Sequence, residues 1–272
     1  MISRYLYFFL FVFCATTFTY AQDRPISRFS LFSQDLKKTA EGIIHVADAP
    51  LHWSEDDFIL LGSTLSAGFL LFQFDEDIDR FLRRSQNKTT QNLADIGSMY
   101  GEPITVVSIA AGLYTYGIIT KDKWTRDTAV LLTTALIPAG AVQTVSKISA
   151  GRARPYMDIG EGDFKFLRGG EDYYSFVSGH TLVAVSTSLI LADRIDNPYV
   201  SSLFYSFAAI SAWSRMQLHN HFATDVFLGS MLGYAAVSSA LKWHSDGKKT
   251  EPDRISYLFD IRPYHLGVLI YF

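Results

Sequence analysis

SRMQLHNHFATD, residues Ser214 to Asp225, sets one arginine, two histidines and a carboxylate into twelve residues between two apolar runs, Val200 to Trp213 and Val226 to Leu241. Neither run alternates as a half-buried strand does, and both are long for one, so the stretch reads as a polar turn joining two helices. If the second helix begins near His221, then His221 and Asp225 stand at i and i+4 on one face. A carboxylate there would take the Nδ1 proton of the imidazole, leave Nε2 bare as a nucleophile, and stabilise the cation formed when Nε2 is substituted. Arg215 would add a planar fork of donors that matches phosphate oxygens. Two plainer readings compete: a salt-bridged His and Asp on a helix surface, and a metal site built on the H-x-H pair His219 and His221.

Outward from this stretch lie four more apolar segments, Phe58 to Phe74, Ile104 to Thr120, Thr128 to Val145 and Thr181 to Ala192. With the two flanking runs they predict an all-α fold, a helical bundle of about six core helices. Phe32 to Ala47 can form an amphipathic helix broken near Pro50, and Ile78 to Arg84 a shorter one inside the charged linker Asp75 to Glu102. The linker's charges read as a solvated face, with a lid over the site as the alternative. Asp158 to Asp172, with four glycines and five acids, reads as a loop. The tail Ile255 to Phe272 alternates and carries Pro263 and Gly267, which suits an edge strand, a hairpin or an envelope-sorting signal; it reads as a short β-like extension on the bundle. The resulting division is 1–21, 22–57 as an N-terminal extension, 58–245 as the helical-bundle domain and 246–272 as the C-terminal extension.

A chain of 272 residues, 49% hydrophobic and 15% aromatic, can bury one good-sized core. Its formal net charge is only -3 and no block of like charge occurs, which argues against a nucleic-acid partner. Met1 to Ala21 reads as a secretory signal peptide cleaved after Ala21, with retention as an anchor the alternative. The single cysteine, Cys14, lies within it, so the processed chain would carry no disulfide.

Two further blocks match the opening stretch. KISAGRARP runs from Lys147 to Pro155, and SFVSGH from Ser175 to His180. Lys147-x6-Arg154-Pro155, Ser178-Gly179-His180 and Ser214-Arg215-x5-His221-x3-Asp225, in this order, resemble the signature of the type 2 phosphatidic acid phosphatase superfamily. That superfamily also holds bacterial acid phosphatases and vanadium haloperoxidases. The resemblance covers roughly Phe58 to Leu241 and departs at Val177, where the family usually has proline. It implies a phosphate cradle of Lys147, Arg154, Arg215, Ser178 and Gly179, with His221 as nucleophile, Asp225 orienting it and His180 as general acid. No metal and no organic cofactor is required by that scheme. Arg152 falls among the unspecified six residues and reads as a supporting residue. Taken alone, Ser178 and Gly179 before a helix are also an ordinary N-cap, and His180 an ordinary histidine at a helix entrance.

The function so implied is a phosphatase acting on a phosphomonoester or pyrophosphate, on a small molecule or on a lipid phosphate such as phosphatidate, phosphatidylglycerol phosphate or a polyprenyl diphosphate. The alternatives are a vanadate-dependent haloperoxidase and a non-catalytic envelope module. Location is less uniform in its signals. The longest apolar run, 18 residues, covers roughly 27 Å against a hydrocarbon core of about 30 Å. A site facing outward between the third and fourth spans gives the wrong parity if all six runs cross, yet the cationic connectors Lys121 to Arg126 and Lys242 to Lys249 fall where a six-span protein wants cytoplasmic loops. The balance leans to a soluble domain exported to the periplasm or envelope, with an integral membrane form as the alternative.

Overall fold

In the computed structural model, the described residues are 27–249 and two strands at 257–262 and 265–270. The expected signal peptide and Cys14 lie outside them. Nine α-helices occur among the described residues: α1 (Arg28–Asp48), α2 (Glu55–Phe72), α3 (Asp75–Arg84), α4 (Lys88–Tyr100), α5 (Pro103–Thr120), α6 (Lys123–Ala150), α7 (Gly179–Ile195), α8 (Pro198–Gln217) and α9 (Ala223–Lys249). The six apolar runs are α2 and α5 to α9. The tail forms a hairpin of β1 (Tyr257–Arg262) and β2 (His265–Ile270), antiparallel, with Arg262 opposite His265.

Most helix starts are written in side chains that satisfy first-turn amides. Ser54 and Asp57 close a capping box on α2, Asn87 and Thr90 close one on α4, and Asp122 accepts from the Thr125 amide on α6. Asn197 caps α8 with Pro198 at the first helical position. Helix α4 is the one that sequence patterning passed over. KTTQNLADIGSMY lacks a strong apolar stripe, and only Ala94, Gly97 and Tyr100 of it are buried.

The core gathers Leu131, Leu132, Ala135 and Ala139 of α6, Leu182 and Ile190 of α7, and Ala236, Val237 and Ala240 of α9. Val46 of α1 joins them, and Asp35 of α1 is salt-bridged to Arg126 at 2.8 Å. The N-terminal extension therefore belongs to the bundle from residue 28 onward. A boundary at 58 would divide helices that pack together, and α9 likewise runs past 245 to Lys249.

The outer face is apolar over a wide area. Phe58, Ile59, Leu65, Phe69 and Leu70 of α2 are each more than half exposed, as are Ile104, Val107 and Ile119 of α5 and Ile137, Val142 and Val145 of α6. Helices α5 and α6 are long and apolar enough to cross a membrane; α2 and α3, bent by 55°, pass the same test as one broken span. The parity conflict in the sequence assumed six spans, whereas two or three helices among the described residues meet the requirement. A soluble domain would expose apolar patches of this size only at an interface, so the surface tips the balance away from the soluble form and toward membrane association.

Candidate active site

Helix α6 is 28 residues long and ends in Gly151, whose φ of 54° is left-handed and whose amide closes on the Lys147 carbonyl. That ending puts Lys147 in the last turn, with Arg154 just beyond it on the chain. The chain then loops through 151–178 to the start of α7. The turn between α8 and α9 packs on the same region: the Tyr156 amide donates to the His219 carbonyl, and Ser178 N–H to the Asp225 carbonyl at 3.0 Å.

His221 is buried, and its Nδ1 lies 2.6 Å from the carbonyl oxygen of Ser175. A carbonyl can only accept, so the neutral ring carries its proton on Nδ1 and leaves Nε2 bare. Burial first, then the fields of Lys147, Arg215 and Arg154, hold the proton affinity of His221 well below the ordinary histidine range. The Nε atoms of Arg154 and Arg215 are buried and have no hydrogen-bond partner. Arg215 is steadied by Ser98 at 2.6 Å and Arg154 by Asn220 at 3.3 Å. Three cations thus act around one neutral imidazole, with two buried guanidinium N–H groups still unmatched. That is the electrostatic form of an oxyanion site.

The structure corrects the expected link from Asp225 to His221. Helix α9 begins at Ala223, so His221 precedes it and does not share a helical face with Asp225. The Asp225 carboxylate turns back to cap the helix, accepting Phe222 N–H at 3.0 Å, and also accepts Ser175 Oγ–H at 2.6 Å and Arg152 Nη1 at 2.8 Å. It reaches His221 through Ser175, whose side chain it holds and whose carbonyl holds the ring.

Ser178 also differs from expectation. Its amide is taken by Asp225, and its hydroxyl sits 2.9 Å from Thr181 Oγ1 and caps the Thr181 amide at 3.4 Å. Ser178 is thus the N-cap of α7. The Phe176–Val177 peptide bond, at the departure from the family proline, is cis. His219 and His221 diverge: His219 meets Asp79 at 2.6 Å and Gln86 at 2.8 Å, while His221 meets Ser175.

Arg152 is the residue whose weight the sequence understated. It is 1% exposed and bridges Asp225 and Asp75, each at 2.8 Å, with the rings of Phe72, Phe164 and Phe222 at 5.0, 5.4 and 4.3 Å from its guanidinium carbon. Asp75 also accepts the Thr224 amide at 2.9 Å. The charged linker thus turns Asp75 and Asp79 inward and clamps the site loops; Arg83 of α3 donates to the Pro155 carbonyl at 2.7 Å. Nothing in DEDIDR separates Asp75 from an ordinary acid at a helix start, so only the fold reveals it.

Two measurements test this geometry. A Cβ on Gly229 of α9 would lie 2.5 Å from the Ser178 carbonyl oxygen, so Gly229→Ala is expected to cost about 1–3 kcal/mol. Thermal melting would show that cost, and calorimetry should show weaker inorganic phosphate binding alongside it. Because His221 resists protonation only when folded, the unfolded chain binds a proton near pH 6.5 that the native chain refuses. Stability is then full above that pH and falls below it, by about 1.4 kcal/mol per unit for this ring. Melting temperatures between pH 7.5 and 5 should drop, and His221→Gln should flatten part of the slope.

Residues 128–249 match the family model of the PAP2 superfamily, a segment that contains every motif residue named above. Two solved structures share the fold. The crystal structure of Aquifex aeolicus LpxE aligns with a TM-score of 0.52 at 17% identity, over 62% of this chain and 95% of that one. The first transmembrane PAP2-type phosphatidylglycerolphosphate phosphatase from Bacillus subtilis aligns with a TM-score of 0.52 at 20% identity, over 71% and 98%. No curated protein matches the chain.

Proposed function

We propose that the protein is a membrane-associated phosphatase that hydrolyses a phosphorylated lipid, a phosphomonoester or pyrophosphate, through a phosphohistidine on His221. The observation that carries this reading is the buried, Nδ1-protonated His221 among Lys147, Arg154 and Arg215, two of which keep unmatched N–H groups. Phosphoryl transfer needs charge stabilisation, an aligned nucleophile and a proton for the leaving oxygen. Here the three cations hold the phosphoryl oxygens, and His221 Nε2 forms a bond to phosphorus as the bond to the leaving oxygen breaks. His180 gives that oxygen a proton, then takes one from the water that attacks the phosphohistidine, which frees His221. Asp225 and Arg152 act as positioning residues through Ser175.

A lipid substrate is supported by the apolar faces of α2, α5 and α6 and by the named substrate of the Bacillus subtilis neighbour. Delivery from an outer leaflet into a periplasmic site agrees with the leader-like residues 1–21. The test is phosphate release by the detergent-solubilised protein in excess chelator, from phosphatidate, phosphatidylglycerol phosphate and a polyprenyl diphosphate in mixed micelles and from a soluble aryl phosphate. Release from the lipids supports the reading. Release from the aryl ester alone would make the substrate a small molecule, and none from any would remove the proposal.

A further inference from the structure

The acid end of the site contains a carboxylate that none of the three sequence motifs includes. Glu102 immediately precedes α5, and its Oε2 lies 2.8 Å from Nε2 of His180. Its placement is built into the α4–α5 junction. Tyr100 is anchored by a 2.8 Å bond to Ser188, Pro103 opens α5, and Gly101 lies so close to α7 that a Cβ there would sit 2.7 Å from the His180 carbonyl oxygen and 2.5 Å from Ser211 Oγ. The backbone immediately before Glu102 is therefore held against the backbone of His180.

The surroundings of His180 oppose a second proton on the ring. Arg215 reaches it from α8 and Lys147 from α6, both cationic, while the Asp225 carboxylate of α9 is committed to Arg152, Ser175 and Phe222. Glu102 of the α5 entrance is the negative group that faces the ring. Because a carboxylate accepts, Nε2 carries the proton of the neutral ring, and Nδ1 is the nitrogen that gains and loses the second one.

Resting on the reading of His180 as general acid, we propose that Glu102 is a positioning residue for the leaving-group step, fixing His180 through Nε2–H and supplying the charge that lets Nδ1 carry the proton donated to the leaving oxygen. In the unliganded site, burial, then Arg215, and further Lys147 bring the proton affinity of His180 down to about 4 against the upward pull of Glu102. A phosphate dianion adds negative charge beside the ring, so substrate and Glu102 together bring the imidazolium within reach at working pH. The same carboxylate repels that dianion, so its removal should tighten binding while slowing turnover.

The experiment compares wild type, Glu102→Gln, Glu102→Asp and His180→Ala on two soluble phosphomonoesters, a nitrophenyl ester whose leaving group needs no proton and an alkyl ester whose leaving group does. Glu102→Gln should lose about 10²-fold in the single-turnover rate at which the alkyl ester phosphorylates His221, with a lower steady-state KM, and stay within about threefold in that phosphorylation rate on the nitrophenyl ester. The alkaline limb of its alkyl-ester profile should move to lower pH, and Glu102→Asp should recover most of the loss. Melting curves certify that the variants fold. Equal losses on both esters, or no loss on the alkyl ester, would overturn the role of Glu102. Failure of the underlying reading looks different: the phosphorylation rate of His180→Ala would then change equally on both esters.

Discussion

His221→Ala is expected to abolish phosphate release, by about 10⁴-fold or more, while inorganic phosphate still binds with nearly unchanged affinity. Removing a covalent nucleophile removes the intermediate itself, and losses of that order are usual. Binding is a separate matter. Arg154 and Arg215 do not depend on the imidazole for their placement: Ser98 steadies Arg215 and Asn220 steadies Arg154. Removing the ring also relieves a buried base of the fields of three cations. Calorimetric titration with phosphate beside a turnover assay separates the two effects. Unchanged turnover would remove the phosphohistidine mechanism outright, and lost binding with lost turnover would assign His221 to the cradle instead.

Arg152→Met is expected to give the largest loss of stability of any single change near the site, about 3–5 kcal/mol. The guanidinium is 1% exposed between two carboxylates that are themselves wholly buried. A methionine can fill the space among Phe72, Phe164 and Phe222, so the cost is chiefly that of two buried carboxylates left without their shared cation. Asp75→Asn in the same chain should recover part of it, since one of those charges is then gone. Turnover should fall too, because Arg152 holds Asp225, and Asp225 holds the Ser175 hydroxyl. Denaturant unfolding of the single and double variants is the check, and a single variant as stable as wild type would show that the bridge contributes little.

The helices built on apolar runs were legible because each run is long and unbroken, while the caps Ser54, Asp122 and Asn197, which start three of them earlier than the apolar residues do, emerge only in the structure. The candidate site residues were marked by spacing, since Lys147, Arg154, Arg215, His180 and His221 fall into three blocks whose order resembles the superfamily signature. Two kinds of information were not legible. One is the exact start of α9: a two-residue shift in where a helix begins moves His221 off the face that bears Asp225 and gives the tautomer-fixing role to another group. The other is long-range pairing, as in Asp75 with Arg152, Glu102 with His180 and Ser98 with Arg215, where partners lie tens of residues apart. Charged and hydroxyl residues in polar segments carry no local mark of such a partner. The wide apolar face of α2 shows the same limit, because composition reports how much apolar surface a helix has and only packing reports how much of it stays outside.

The group that orients His221 is a main-chain carbonyl at Ser175. Substitution at that position changes the side chain and leaves the carbonyl in place, so Ser175→Ala would remove an anchor for Asp225 without removing the acceptor that sets the ring's tautomer. Side-chain scanning is blind to such a contact, and genetic drift is nearly powerless against it. The orientation of the His221 ring is written into the peptide backbone, where a single-atom replacement of the carbonyl oxygen by sulfur, introduced by semisynthesis, would reach it and ordinary mutagenesis would not.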